Sequence, residues 1–205
     1  MRTLTCQCEA SFGADLPSEI DLDCEKTSLG EILAGTFMTV ECPNCGRSLK
    51  PELEFRFRSS RQGLDILVVP EAARFSVYSG IVKAPAASEI LIGYAELYER
   101  ALMLSSSLDP RCIEILKYHL LAKAISTAGS AEEILVLFAG RQEDGKLKFH
   151  IQGLKPEEIA VIALSFDHYE KACANLGQIA GTEPFSRFLP GPYRSIRALE
   201  IPGDS

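Results

Sequence analysis

The chain has no apolar run long enough to cross a bilayer, no secretory leader pattern and no recognisable catalytic signature. Its longest continuous apolar stretches, 134–139 and 159–164, fall far short of the roughly 20 residues a spanning helix needs. Met1 to Leu4 carries one basic residue and no apolar stretch follows it, so a leader is not expected and a reducing cytoplasm is. Net positive charge is missing too: 21 Lys and Arg stand against 28 Asp and Glu, for a formal charge of -7 and a pI near 5.1. Such a balance argues against a protein whose whole surface attracts a phosphate backbone.

No nucleophile elbow, phosphate-binding glycine loop or HExxH run occurs. The pairs Glu132/Glu133 and Glu157/Glu158 read as solvent-facing turns, and Asp144-Gly145 reads as a hairpin turn. His119, His150 and His168 have no ligand spacing to one another. A hydrolase would have to assemble its site from scattered residues.

What is present suits an ordinary globular protein. Of 205 residues, 46% are hydrophobic and 24% charged, enough for a core within one large domain or two small ones. Thr27 to Leu33 suggests a short helix, with Glu31 in capping-box relation to Ser28 and Gly35 as its stop. Phe37 to Glu41 reads as a strand leading into Cys42. Leu49, Pro51, Leu53, Phe55 and Phe57 alternate with polar residues up to Arg58, the period of a half-buried strand, and Leu64 to Val69 is its expected hairpin partner.

Ile90, Leu91, Tyr94, Leu97, Ala101 and Leu102 recur at helical spacing, which predicts a helix over 88–105. Asp109-Pro110 starts another, with Asp as cap and Pro in the first turn. In the last third, 134–139 and 146–151 are strand-like, 159–166 fits strand or helix, and 167–176 reads as a helix in which Asp167 and Glu170 form a capping box. A loop over 184–192 and a short element over 194–201 complete the chain. The expected fold class is α+β: an N-terminal antiparallel sheet (1–83), a central helical pair (84–128) and a C-terminal α+β unit (129–205).

The cysteines carry the chemistry. Seven is an odd number, and in a reducing compartment they suit metal ligation or burial better than disulfides. Cys42-Pro43-Asn44-Cys45-Gly46 has the form of a zinc knuckle, and structural zinc takes four such ligands in a tetrahedron. Cys6-Gln7-Cys8 is the second pair; only one residue separates its thiols, so the backbone must turn tightly there for both to share one ion. Cys24 is the reserve ligand. Cys112 and Cys173 fall on helix faces and read as buried thiols.

These residues, with Gly35-Thr-Phe-Met-Thr-Val-Glu-Cys-Pro-Asn-Cys-Gly46, Ile66-Leu-Val-Val-Pro70, Tyr94-Ala-Glu-Leu-Tyr-Glu-Arg100 and Leu108-Asp-Pro-Arg-Cys-Ile-Glu-Ile-Leu-Lys117, resemble the CpXC family over about Thr3 to Ala124. The resemblance implies a zinc-ribbon-like N-terminal part and no settled activity. The chain departs from the family pattern at its first pair, where one residue instead of two separates the thiols.

The expected function is that of a cytoplasmic zinc-binding module with an unknown protein partner, in which Zn2+ on Cys6, Cys8, Cys42 and Cys45 is structural. Two alternatives stand beside it. Arg47, Lys50, Arg56, Arg58 and Arg61 could contact nucleic acid, unless acidic neighbours share their face. Cys42 and Cys45 could instead serve a thiol oxidoreductase or an incomplete metal enzyme.

Overall fold

The computed structural model describes residues 1–24, 27–84, 88–128 and 134–200. The chain is mixed α+β and divides into two compact units, Met1–Tyr98 and Glu99–Ser205. Glu132 and Glu133 lie outside the described residues, as does Ile201. Among the described residues no helix is long and apolar enough to cross a membrane.

In the N-terminal unit, β1 (Arg2–Thr5) and β2 (Ser11–Ala14) form one antiparallel hairpin. A four-stranded mixed sheet joins β3 (Glu19–Asp21), β6 (Phe55–Ser59), β7 (Leu64–Val69) and β8 (Glu89–Ile92) in the order β3-β6-β7-β8. The helix α1 (Thr27–Ala34) and the hairpin of β4 (Val40–Glu41) with β5 (Ser48–Leu49) lie between β3 and β6 in sequence. The β6–β7 pairing is antiparallel, as the alternation implies, while β3–β6 and β7–β8 are parallel. Alternation sends Phe55 and Phe57 into the core beside Phe37, with ring centroids 5.2 to 5.8 Å apart. Arg56 and Arg58 take the other face.

Three element boundaries differ from the sequence reading. The expected strand over 49–58 is broken: residues 50–54 leave the ladder, because Pro51 has no N–H to give and the chain there passes from one hairpin to another sheet. The expected strand over 37–41 shrinks to two residues, since Met38 has φ 55 and turns the chain. The expected helix over 88–105 is a strand followed by a helix, β8 and then α3 (Gly93–Ser105). All four β8 residues are buried, and a short run buried on both faces carries no period that separates strand from helix.

Gly93 makes the junction between β8 and α3. Its φ is 69, and a Cβ there would meet Glu71 Oε2 at 2.9 Å. Glu96 Oε2 accepts the Ile92 amide at 2.8 Å, closing the start of α3. A 3-10 turn (Glu71–Ala73) and α2 (Arg74–Tyr78) supply Arg74, which pairs with both Glu71 and Glu96. The helix α1 already includes Thr27 and Ser28, so Ser28 is not its cap, and Gly35 ends it at φ 76.

The C-terminal unit packs α4 (Pro110–Ala128) and α5 (Phe166–Ala174) with an antiparallel sheet of β9 (Leu135–Arg141), β10 (Leu147–Gln152) and β11 (Ala160–Leu164), ordered β11-β10-β9. The short α6 (Leu176–Ile179) and 3-10 turns at Phe185–Arg187 and Ile196–Glu200 follow. Asp109 caps α4 as the Asp-Pro pair implies: its Oδ1 accepts the Arg111 amide at 2.9 Å. Gly145 turns the β9–β10 hairpin at φ 83. The capping box of Asp167 and Glu170 does not form, because α5 starts one residue earlier and Ser165 occupies the cap position, its hydroxyl bonded to His168 Nδ1 at 2.9 Å.

Phe138, Phe149, Ile113, Leu116, Leu120 and Phe188 belong to one apolar core. Charge is buried beside it. Lys117 Nζ lies 2.7 Å from Glu114 Oε1 and 3.2 Å from Glu99 Oε2, and all three side chains are enclosed. The remaining carboxylate oxygens accept backbone amides, Glu99 from Phe138 and Glu114 from Ile196 at 2.8 Å.

Cys112 and Cys173 are not separate buried thiols. A disulfide joins them across 61 residues, tying α4 to α5 with Cα atoms 5.5 Å apart. Nothing local to either cysteine marks this, since helix packing alone brings the two positions together.

Candidate metal centre

Each cysteine pair sits at the tip of an antiparallel hairpin. The strand β1 runs into Cys6 and β2 leaves after Ala10, while β4 runs into Cys42 and β5 leaves after Arg47. The two tips share a hydrogen-bond scheme. The Cys6 amide donates to Ala10 O at 2.9 Å and the Cys42 amide to Arg47 O at 2.8 Å. Inside these, the Glu9 amide donates to Cys6 O and the Gly46 amide to Cys42 O, both at 2.9 Å.

This scheme explains how one intervening residue suffices in the first pair. Glu9 takes φ 67 directly after Cys8, just as Gly46 takes φ 70 directly after Cys45. The left-handed residue reverses the chain in both knuckles, and the first does so in a turn one residue shorter. Sequence reading finds Gly46 because glycine is the usual occupant of that conformation; a glutamate gives no such signal. Its left-handed backbone carries a cost of roughly 1–2 kcal/mol for a residue with a Cβ. A Glu9→Gly variant is therefore expected to unfold at higher denaturant concentration, with a gain of about 1 kcal/mol after glycine's own entropy is charged against it. A gain of zero in that titration would mean that the turn is unstrained.

The result is a four-sulfur cluster. Cys6, Cys8, Cys42 and Cys45 bring their Sγ atoms within 4.8 Å of one another. Cys6 Sγ is 3.7 Å from Cys45 Sγ, and Cys8 Sγ is 3.7 Å from Cys42 Sγ. A regular tetrahedron with metal–sulfur bonds of about 2.3 Å has edges of about 3.8 Å, so the donor set fits one small tetrahedral ion. Cys6 and Cys42 are buried, whereas Cys8 and Cys45 face solvent.

Electrostatics favours the same conclusion. The Ala10 amide, and then the Asn44 side chain, hold Cys8 down at about 6. At Cys45 the Arg47 amide lowers the thiol, but the crowding of Cys8, Cys6 and Cys42 outweighs it and pushes Cys45 up to about 11. One thiolate forms readily in the cluster and the next is resisted. A cation in the centre removes that conflict, because ligation and deprotonation are coupled.

Two polar side chains of the second knuckle reach the first. Asn44 Nδ2 donates to Cys8 Sγ at 3.6 Å, and the Arg47 guanidinium donates to Gln7 Oε1. Cys24 does not join the cluster. It is exposed, and its thiol points to Asp21 Oδ2 at 3.6 Å, with Asp21 raising its pKa.

Two of the five basic residues of the strip, Arg56 and Arg58, are ion-paired. Arg56 pairs with Asp65 and reaches Ser88 Oγ at 3.2 Å. Arg58 meets Glu19 at 2.7 Å and Asp65 at 3.9 Å. The Arg56 guanidinium holds the Asp65 carboxyl below the usual range. Lys50 lies over the Tyr94 ring and donates to Gly35 O, Arg47 holds Gln7, and Asp23 accepts the Arg61 amide. The outward face of β6 is an ion-paired sheet surface.

Comparison with known proteins gives a family and little more. The family model described as CpXC protein matches residues 4–117, more than half of the chain. An uncharacterised protein of Treponema pallidum (strain Nichols) is 24% identical over 216 residues, covering 96% of this chain and 97% of that one. No solved structure matches.

Proposed function

The chain belongs to the CpXC family, and from that membership and the sulfur geometry we propose that it is a zinc-binding module whose metal is structural. The observation that carries the reading is the cluster of four sulfurs within 4.8 Å of one another, two of whose edges measure 3.7 Å. Four protein ligands fill a tetrahedral zinc and leave no position for substrate or water, which suits a staple and not a catalyst. The hairpins that the ion would join are two and four residues per strand, too short to hold together without further support.

The module's role in this reading is to present a protein-binding surface. Phe75 and Ile81, six residues apart in the N-terminal unit, are 77% and 70% exposed, and they are the large apolar side chains on which we place that surface. The ion pairs of Arg56 and Arg58 leave the nucleic-acid alternative without a supporting observation.

Elemental analysis of protein purified without added metal tests the reading. One zinc per chain is expected, and thiol titration of the denatured, unreduced, chelated protein should count five thiols, because Cys112 and Cys173 are joined. In the same preparation, a co-purifying protein lost from a Phe75→Asp variant would bear out the contact surface. A metal-free native protein that folds normally would overturn the proposal.

A further inference from the structure

We propose that Asn44 is a positioning residue for the metal: its side-chain amide donates to the Cys8 sulfur and sets the affinity and electronic character of the site. The inference rests on the reading of the cluster as a metal centre. Asn44 lies between the two ligands of the second knuckle, yet its hydrogen bond goes to a ligand of the first, 36 residues away. It therefore acts across the site and not within its own turn.

The short first knuckle gives this contact its importance. Cys8 faces solvent and is held from its own hairpin by one backbone donor, the Ala10 amide. The Asn44 amide is a second donor to that sulfur, supplied from the other knuckle. Three positions further along, Arg47 grips Gln7, the single residue between Cys6 and Cys8. The second knuckle thus clamps the first at a ligand and at its spacer.

Chemically, four thiolates place more negative charge around a divalent ion than it neutralises. An N–H donor at sulfur draws off part of that charge and lowers the energy of the sulfur lone pair. Partners of this kind outside the ligand shell typically change metal affinity by about 10- to 100-fold. Asn44 is exposed, so its truncation leaves the core untouched.

The test uses the full chain loaded with Co(II) in place of zinc, comparing wild type with Asn44→Ala and Asn44→Asp. The aspartate keeps the shape of the side chain and removes the donor. Both variants are expected to keep the visible bands of a tetrahedral cobalt site. Each should lose about tenfold or more in affinity against a chromophoric chelator, and the sulfur-to-metal charge-transfer band should move to longer wavelength as the lone pair rises. Cys8 should also be alkylated faster in the loaded variants. Affinity within twofold of wild type, with an unmoved band, overturns the role of Asn44. Failure of the wild type itself to bind Co(II) or zinc overturns the metal reading instead, and the two failures are distinct.

Discussion

Replacing Cys42 with serine is expected to abolish the proposed stoichiometric zinc binding and to unfold the hairpin pair of the N-terminal unit. Cys42 is 1% exposed and stands at the junction of β4 and its knuckle, where its backbone also anchors the turn. A serine oxygen at that position is a poor ligand for a site of soft donors, and the buried thiolate has no substitute nearby, since Cys24 is committed to Asp21. Structural zinc contributes about 10–16 kcal/mol to the folding of small zinc modules. That matches or exceeds the roughly 5–15 kcal/mol by which a whole domain is stable, so two hairpins of this length cannot survive its loss.

Amide hydrogen exchange checks the result residue by residue. The Cys6, Glu9, Cys42 and Gly46 amides, which hold the knuckles in the native protein, should lose protection in Cys42→Ser and in chelator-treated wild type alike. A Cys24→Ser variant should keep both metal and protection. Retained protection in Cys42→Ser would show that the hairpins stand without metal and would remove the structural role. Loss of a thiol-exchange activity in that still-folded variant would move the assignment to redox chemistry.

Exchanging Lys117 for methionine is the second large perturbation, with an expected loss of about 3–5 kcal/mol from the C-terminal unit. The substitution keeps length and apolar volume but strips the cation from between Glu99 and Glu114. Each carboxylate keeps its backbone donor, and both are enclosed, so bulk solvent does not replace the lost ammonium. Burial would lower the Lys117 pKa, but the Glu114 and Glu99 carboxylates outweigh it and raise it, so the lysine is charged throughout the physiological range.

The pH dependence follows from Glu99. Burial pushes its pKa up to about 7 while Lys117 pulls the other way; with the cation gone, it rises further. A carboxyl whose folded pKa exceeds its unfolded value of about 4.3 binds protons more tightly when folded, so it favours folding as pH falls. The deficit of Lys117→Met should therefore be larger at pH 8 than at pH 5.5, measured by urea titration at each pH. Equal deficits would mean that the carboxylates find another partner.

Both units carry features written openly in the sequence. The Cys42-Pro-Asn-Cys45-Gly46 knuckle, the Asp109-Pro110 helix start, the Asp144-Gly145 turn and the Phe55/Phe57 alternation are each encoded within a few residues. A local dihedral preference, a cap or a two-residue period suffices to recognise them. The family resemblance was legible for the same reason, and so was the α+β class.

Other features depend on which distant segments meet. Ile90 and Leu91 fit a helical stripe as well as a strand, and the parallel pairing with β7 decided between them. The Arg56–Asp65 pair arose from hairpin register, which places an acidic partner from β7 beside one residue of the basic strip. Cys112 found Cys173 only because α4 packs on α5. The four cysteines could be named from their spacing, but their convergence required Glu9 in a conformation that no glycine announces. Backbone preference acts between near neighbours, so turns, caps and knuckles are readable along the chain. Ion pairs, disulfides and the second grip on the metal site through Asn44 are choices among partners tens of residues apart, and packing makes those choices.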